Sequence, residues 1–151
     1  MEPVSIGVYR SPGSRLPVKA TAGSAGLDVA ACLPPDTVID LPAGERISVP
    51  TGLYFDIPHG YFISLRPRSG LALRHGIILP NSPATIDSDY RGELKVILGN
   101  ISADTFRIEH GDRIAQLLVE RCVEFIWQEL DQYDQTAGER GSGGFGSTGL
   151  A

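Results

Sequence analysis

The sequence is poor in cysteine, and this limits the kinds of site it can hold. Only Cys32 and Cys122 are present, with no C-x-x-C pair and no partner histidine at zinc spacing. Neither a disulfide framework nor a metal finger is therefore supported. No apolar run approaches the roughly 20 residues that span a bilayer. The opening stretch, MEPVSIGVYR, has neither a basic start nor an apolar signal core, which predicts a cytoplasmic protein with no membrane partner.

Basic residues are also outnumbered by acidic ones. The formal net charge is −5, from 13 lysines and arginines against 18 aspartates and glutamates. Non-specific nucleic-acid binding needs a basic stripe that displaces counterions, so no nucleic-acid partner is expected and any phosphate site must be local. The glycine-rich end lacks the lysine of the Walker A pattern G-x-x-x-x-G-K-[ST], so it is not a phosphate loop of that kind.

What is present indicates one globular β domain. The chain has 151 residues, of which 42% are hydrophobic and 21% charged, and this is enough for a core of its own. Eleven prolines and eighteen glycines disfavour helical bundles. Short β-branched and apolar runs recur between Pro, Gly and Asp residues, which predicts an antiparallel sandwich or barrel. These runs are VSIGVY, LDVAAC, TVIDL, RISVPTGLYFDI, YFISL, HGIIL, ELKVILGN, TFRIE and RIAQLLVERCVEFIW.

Several segments allow more specific predictions. ERISVPTGLYFDIP is interpreted as one bent strand, interrupted by Pro50 and Gly52. RSGLALRHG predicts the one short helix, capped by Ser69 and ended by Gly76. RIAQLLVERCVEFIWQEL favours a strand, although it also fits an amphipathic helix. From about residue 131 the composition becomes polar and glycine-rich, which predicts a β domain over 1–130 and a flexible C-terminal arm over 131–151.

Two stretches group residues that suit phosphate chemistry. RPRSGLA offers a guanidinium, a hydroxyl and helix-end amides to one anion, and it also fits a capped helix with exposed arginines. In NSPATIDSDYRGEL, Asp87 and Asp89 share a face if the stretch is a strand and fan out if it is a hairpin turn. A carboxylate near an anion can orient a water or take its proton, and an acidic hairpin turn without such a role is the alternative.

Two further features are weaker when taken alone. Gln116 is an amide within the apolar stretch GDRIAQLLV, and if buried it needs a partner, which can be a substrate, a water or the backbone. The end of the chain, RGSGGFGSTG, has the composition of a linker, with Phe145 its one large apolar residue.

Taken in order, AGSAGLDVAA, RPRSGLA, NSPATIDSDYRGEL, GDRIAQLLV and RGSGGFGSTG resemble the five motifs of the trimeric dUTP pyrophosphatases (dUTPases) over residues 22–149. The resemblance implies a distorted jelly-roll, β-barrel-like subunit and a homotrimer whose active sites are shared between subunits. It also implies Mg²⁺-dependent hydrolysis of dUTP to dUMP and pyrophosphate. That reaction limits uracil incorporation into DNA and supplies dUMP for dTMP synthesis.

The resemblance also implies roles for individual residues. Asp87 corresponds to the catalytic carboxylate that positions the water attacking the α-phosphorus, and Asp28 to the acid that reaches Mg²⁺ through water. The ring of Tyr90 is implied to lie under the sugar and exclude a 2′-hydroxyl. The implied phosphate contacts are Arg68, Ser69, Gly70, Gln116, Arg140, Gly146, Ser147 and Thr148. The implied base and sugar contacts are Asn81, Thr85, Ile86, Tyr90, Lys95 and Phe145.

The resemblance changes the interpretation of the tail. Ordering about ten residues costs on the order of 10 kcal/mol, and Phe145 alone can bury apolar surface there. We therefore expect a lid that is mobile when free and orders over a bound triphosphate, where Arg140 binds phosphate and Phe145 covers the uracil.

The sequence departs from the family's pattern at position 84. Ala84 stands where the family's turn often has glycine, so a positive φ there would be strained. The three histidines, His59, His75 and His110, match no catalytic residue and are predicted at the surface or at a helix end.

The rival enzyme is a dCTP deaminase, which shares the fold and needs a glutamate at C4 of cytosine. The alternative outside enzymes is a catalytically inactive β-sandwich used for binding or assembly.

Overall fold

The structure, a computed structural model, describes residues 3–134, 136 and 142 and consists mainly of short strands. The strands are β1 Gly7–Arg10, β2 Val18–Lys19, β3 Leu27–Ala30, β4 Val38–Leu41, β5 Arg46–Pro50, β6 Leu53–Asp56, β7 Tyr61–Arg66, β8 Ile77–Ile78, β9 Ala84–Ile86, β10 Lys95–Asn100, β11 Phe106–Glu109 and β12 Arg113–Arg121. The one helix of this part of the chain, α1, spans Ser69–His75. Over the same residues, no helix is long and apolar enough to cross a membrane.

The strands form four antiparallel sheets. The largest has five strands in the order β2-β3-β12-β7-β9, and a three-stranded sheet has the order β5-β10-β8. Two further pairs are β1-β6 and β11-β4. Each pairing is antiparallel. The predicted all-β class with one short helix is therefore confirmed.

The five-stranded sheet has one apolar and one polar face, because successive side chains of a strand point to opposite sides. Its apolar face belongs to the core and contains Val29, Ile63, Leu65, Ala115 and Leu117, each no more than 4% exposed. Its polar face carries Asp28, Gln116 and Arg66, which lie in one row across β3, β12 and β7. A slip of one residue would place these polar groups in the core, so the alternation fixes the register.

The structure corrects three local predictions. β5 and β6 are separate strands in different sheets, because the chain turns at Gly52, whose φ is +65°. Ser69 does not cap α1; it is the first helical residue, and the N-cap position is Arg68, which makes no side-chain cap hydrogen bond. β12 ends at Arg121, so the predicted strand over 113–130 is right in type but too long by nine residues, and the amphipathic-helix alternative is wrong for residues 113–121. Gly76 ends α1 as predicted, with φ +63° and ψ +26°.

Candidate active site

Three charged side chains meet on the polar face where β3, β12 and the start of α1 come together. Oδ1 of Asp28 accepts a hydrogen bond from Nε of Arg68 at 3.0 Å, and Oδ2 accepts one from Nη1 of Arg113 at 3.0 Å. Nη1 of Arg68 also donates to the main-chain oxygen of Arg113 at 2.9 Å. We call these three residues the charged cluster. Its carboxylate is 13% exposed, whereas the Arg68 side chain is 27% and the Arg113 side chain 57% exposed.

Strand pairing explains why residues so distant in sequence meet here. Asp28 on β3 lies opposite Gln116 on β12, and Gln116 lies opposite Arg66 on β7. Arg68 follows two residues after Arg66, at the point where the chain leaves the sheet and enters α1. The sheet therefore brings the first, second and fourth sequence motifs to one place, as the resemblance requires.

Arg113 is a member of the cluster that the sequence analysis missed. Strict alternation along β12 would place residue 113 on the face opposite to Gln116. The register shifts between Arg113 and Ala115, so that Arg113 lies opposite Ala30, which is two residues from Asp28 on the same strand. This bulge moves the Arg113 side chain to the face that carries Asp28. No pattern in the sequence marks the bulge.

Gln116 has a backbone partner, which answers one of the open alternatives. Its Nε2 donates to the main-chain oxygen of Pro67 at 2.9 Å. On the other side it packs against Gly26, where an added Cβ would collide with the Gln116 amide. The amide thus links β12 to the segment that precedes α1, and its second N–H is free to bind another acceptor.

Ser69 and Gly70 begin α1 beside the charged cluster. The Ser69 residue is exposed, while Gly70 is half-buried. A Cβ at Gly70 would lie 2.7 Å from Nη2 of Arg74, so that position has little space for a side chain unless Arg74 moves. Arg68, Ser69 and Gly70 therefore form one continuous stretch of donors next to Asp28.

The third motif forms a turn after β9, and the chain then enters β10 in another sheet. β9 ends at Ile86, and the N–H of Tyr90 donates to the main-chain oxygen of Asp87 at 3.2 Å. Oη of Tyr90 donates to the main-chain oxygen of Glu93 at 3.0 Å. Asp87 and Asp89 therefore lie in a turn and do not share the face of a strand, but the turn is not a hairpin, because β9 and β10 do not pair. Asn81, Thr85 and Asp87 are exposed and Ile86 is half-buried.

Arg91 and Glu93 hold this turn in place, and the sequence analysis assigned neither. Nη1 of Arg91 donates to the main-chain oxygen of Ser88 at 2.6 Å, and Nη2 lies 3.1 Å from Oδ1 of Asp56 on β6. Oε1 of Glu93 accepts from the N–H of Gly52 at 2.9 Å, and Oε2 lies 3.9 Å from Nζ of Lys95. The turn is therefore tied to β6 and to the loop before it.

Ala84 is not strained. It lies within β9, opposite Leu65. Among residues 3–134, 136 and 142, Asp36 is the one non-glycine residue with positive φ. Alanine is therefore compatible with the backbone at position 84, and the concern raised by the missing glycine does not apply.

Two cavities differ in their relation to these residues. A cavity of about 610 Å³ is lined by Phe62 on β7, by Thr85 and Asp87, and by Glu124 after β12. A larger cavity of about 890 Å³ lies beside Cys32, Tyr54 and His110, and it contains none of the residues that the resemblance assigns. We therefore place the candidate site at the smaller cavity and at the charged cluster, since the residue types and not the volume determine the chemistry.

Within one chain the two parts of the candidate site are far apart. Asp87 would continue β9 opposite Phe62 on β7, whereas Asp28 lies in the row of Arg66. Three strand spacings across the sheet are about 14 Å, and four residues along a strand are about 13 Å. Asp87 and the charged cluster are therefore separated by on the order of 20 Å.

The remaining predictions fall at the surface or outside the described residues. His59 and His110 are exposed, and exposed His75 is the last residue of α1, so the prediction for the histidines is confirmed. No group of three or more His, Cys, Asp or Glu side chains in the described part of the chain could hold a metal ion. The predicted tail contacts lie outside the described residues: Arg140, Phe145, Gly146, Ser147 and Thr148.

Comparison with known proteins agrees with the sequence motifs. A model of the dUTPase family matches residues 13–149. A curated protein of Methylocella silvestris, deoxyuridine 5′-triphosphate nucleotidohydrolase, is 50% identical over 153 residues, which cover 99% of this chain and 94% of that protein.

Solved structures share the fold at lower identity. The dUTPase of Staphylococcus bacteriophage 80alpha with dUpNHpp superposes with a TM-score of 0.83 at 24% identity, covering 97% of this chain and 99% of the other. A mutant dUTPase from phage phi11 of S. aureus, described with a structural Mg(II) ion, gives a TM-score of 0.75 at 20% identity over 87% of this chain and 99% of the other.

Proposed function

The chain belongs to the dUTPase family, and we propose that it hydrolyses dUTP to dUMP and pyrophosphate by attack of water on the α-phosphorus. The observation that carries this proposal is the fixed orientation of Arg68, whose Nε and Nη1 are held by Asp28 and by the Arg113 carbonyl. The Nη2 of Arg68 makes no hydrogen bond to the described residues, so this nitrogen of the guanidinium group can bind a phosphate oxygen. The reaction limits uracil incorporation into DNA and supplies dUMP for dTMP synthesis.

The phosphate end of the site is formed by donors around the start of α1. Arg68, the hydroxyl of Ser69, the amide of Gly70 and the second N–H of Gln116 bind phosphate oxygens. Because the Gln116 side chain is anchored to Pro67, its free N–H has a fixed direction. Arg140, Gly146, Ser147 and Thr148 complete the phosphate contacts when the arm over residues 131–151 closes as a lid on the β domain of 1–130.

The nucleoside end is formed by the turn after β9. β9 is the last strand of its sheet, so its outer edge has no strand partner in the described part of the chain. The backbone groups of the Thr85–Ile86 segment that point to this edge, together with Asn81, are thus available to read the edge of uracil. The ring of Tyr90 supports the sugar and leaves no space for a 2′-hydroxyl. Lys95 on β10 and Phe145 of the arm complete the base contacts.

Asp87 is the proposed catalytic residue. It is exposed at the 610 Å³ cavity, and its main-chain oxygen is fixed by the N–H of Tyr90. A carboxylate that accepts a hydrogen bond from water orients a lone pair of that water toward the α-phosphorus and takes up its proton. A positioned base of this kind typically contributes about 10²–10⁴-fold in rate.

The charged cluster fits Mg²⁺ held through water rather than directly. Each carboxylate oxygen of Asp28 accepts one hydrogen bond and keeps a second lone pair for a metal-bound water. Such a contact suits an ion that keeps several waters and is bound mainly by substrate phosphates. When bound, Mg²⁺ would neutralise charge on the pyrophosphate leaving group.

We further propose a homotrimer of distorted jelly-roll subunits with active sites shared between subunits. Asp87 and Arg68 must both contact one triphosphate, and the separation of on the order of 20 Å within a chain does not allow this. The segment after β12 also exposes large apolar side chains, which favours burial against another copy. These side chains include Val123 at 78%, Phe125 at 67%, Ile126 at 92%, Trp127 at 87% and Leu130 at 65% exposure.

Pyrophosphate release tests the function directly. We expect release from dUTP by the wild type and at least about a 100-fold slower rate for Asp87→Asn, because the amide cannot take the proton of the water. Asp40→Asn is the matched control, since Asp40 is an exposed acid on β4, outside the site. Equal rates for the wild type and Asp87→Asn would contradict the role of Asp87. Ammonia release from dCTP would instead identify a deaminase.

A further inference from the structure

The position of Arg113 has a consequence for how Arg68 meets the substrate. The charged cluster is a closed circuit of three hydrogen bonds: Arg113 Nη1 to Asp28, Arg68 Nε to Asp28, and Arg68 Nη1 to the Arg113 carbonyl. Arg113 is therefore attached to Arg68 in two ways, through its own carbonyl and through the shared carboxylate.

The two oxygens of Asp28 are each assigned to a different arginine. A carboxylate and a guanidinium left to themselves commonly form a bidentate pair with two parallel N–H···O bonds. Here Oδ2 of Asp28 accepts a hydrogen bond from Arg113 instead, and Nη1 of Arg68 donates to the Arg113 carbonyl. Arg68 therefore makes a single bond with Asp28 in this arrangement, and its Nη2 stays available.

We propose that Arg113 is a positioning residue for phosphate binding, which keeps Arg68 from closing onto Asp28. Without the Arg113 side chain, the vacant oxygen of Asp28 draws a second N–H from Arg68. The guanidinium group of Arg68 then turns away from the substrate, and the β- and γ-phosphates lose their contact with Nη2. This inference rests on the proposed function, in which Arg68 binds the triphosphate.

A thermodynamic cycle separates this role from direct contact of Arg113 with phosphate. Binding of dUpNHpp and of dUMP is measured by titration calorimetry for the wild type, Arg113→Ala, Asp28→Asn and the double variant, all in one Mg²⁺ buffer. We expect Arg113→Ala to weaken dUpNHpp binding by about 10- to 100-fold, the scale of one charge-assisted hydrogen bond. Binding of dUMP, which lacks the β- and γ-phosphates, should change by less than about 2-fold.

The background of Asp28→Asn decides between the two roles. An asparagine amide attracts Arg68 much less than a carboxylate, so removal of Arg113 should then cost less than about 2-fold. The same 10- to 100-fold loss in both backgrounds would overturn the proposal and show that Arg113 itself binds phosphate. An unchanged affinity of Arg113→Ala for dUpNHpp would also overturn it.

Two variants control for charge and for folding. Arg113→Lys keeps a donor for Asp28 and should recover most of the dUpNHpp affinity, whereas a lysine as weak as alanine would contradict the proposal. Arg107→Ala removes the same charge from β11, in another sheet, where Arg107 is 62% exposed, and it should bind both nucleotides like the wild type. If the wild type binds neither nucleotide, the proposed function fails, and this inference falls with it.

Discussion

Replacing Gly92 by alanine should displace the ring of Tyr90, because the three atoms nearest to an added Cβ all belong to that side chain. Gly92 does not have positive φ, so its backbone conformation is open to alanine. An added Cβ would lie 2.6 Å from Cζ and 3.1 Å from Cε2 of Tyr90, and closer still to the hydroxyl. Ordinary carbon contacts are about 3.5–4.0 Å, so the ring must move by about 1 Å.

The size of the functional effect follows from that movement. The hydrogen bond from Tyr90 to the Glu93 carbonyl, now 3.0 Å, would lengthen beyond bonding distance. Its loss should lower the free energy of unfolding by only about 0.5–1.5 kcal/mol. A displacement of about 1 Å in a group that orients the substrate can cost up to about 100-fold in rate, so kcat/KM for dUTP should fall by about 10- to 100-fold.

The assay compares kcat/KM for dUTP and for UTP. If the displaced ring narrows the sugar pocket, kcat/KM falls more for dUTP than for UTP, which is already excluded. If the displaced ring widens the pocket, UTP is admitted and its kcat/KM rises. The ratio of the two kcat/KM values therefore decreases in both cases. Gly23→Ala is the matched control, because Gly23 lies in open space and lacks positive φ. An unchanged ratio, with unchanged dUTP turnover, would refute the placement of Tyr90 beneath the sugar.

Two further predictions address the arm and the assembly. Removal of residues 140–151 should leave the trimer intact by sedimentation but lower dUTP turnover by at least about 10-fold, since a phosphate contact and a stacking ring are lost; full turnover would show that the arm is dispensable. Refolded 1:1 mixtures of Asp87→Asn and Arg68→Ala chains should regain activity at about a quarter of the sites, if each site takes one residue from each of two subunits. Trimers that form without any recovery would show that both residues act within one chain.

The class of fold could be predicted from the sequence, and so could the elements that are bounded by Pro, Gly or Asp residues. Glycine at position 76 ends α1 as predicted, and the short β-branched and apolar runs locate β7, β10 and β11 within a few residues. Prediction from the sequence was wrong where contacts between distant segments override the local sequence pattern. The sequence predicts a bend at Pro50 and Gly52, although the chain changes sheet there. It also predicts that Ser69 caps α1, although Ser69 is the first residue of the helix.

The same distinction applies to the candidate site. Asp28, Arg68 and Gln116 belong to motifs that the sequence displays, and strand register then brings them together. Arg113 depends on a bulge, and Arg91 on contacts with Asp56 and with backbone carbonyls of the turn. Neither arrangement can be recognised from sequence periodicity, because both depend on how distant segments pair and pack in the folded chain. Residues that position other side chains are thus harder to predict from sequence than those that belong to recognisable motifs.

The proposed division of the site between subunits agrees with the apolar surface that the chain exposes after β12. A subunit that holds Asp87 at one end of a sheet and Arg68 at the other is complete as a fold, because its core is closed and its buried side-chain polar atoms within the described residues are all hydrogen-bonded. Under the proposed function it is incomplete as a catalyst, because Asp87 and Arg68 of one chain cannot reach one triphosphate. Assembly can bring Asp87 of one copy to Arg68 of another, and the apolar segment that follows β12 supplies a driving force for it. Catalysis and assembly are therefore coupled in the proposed enzyme: a variant that keeps the fold but weakens subunit contacts should lose activity together with the trimer.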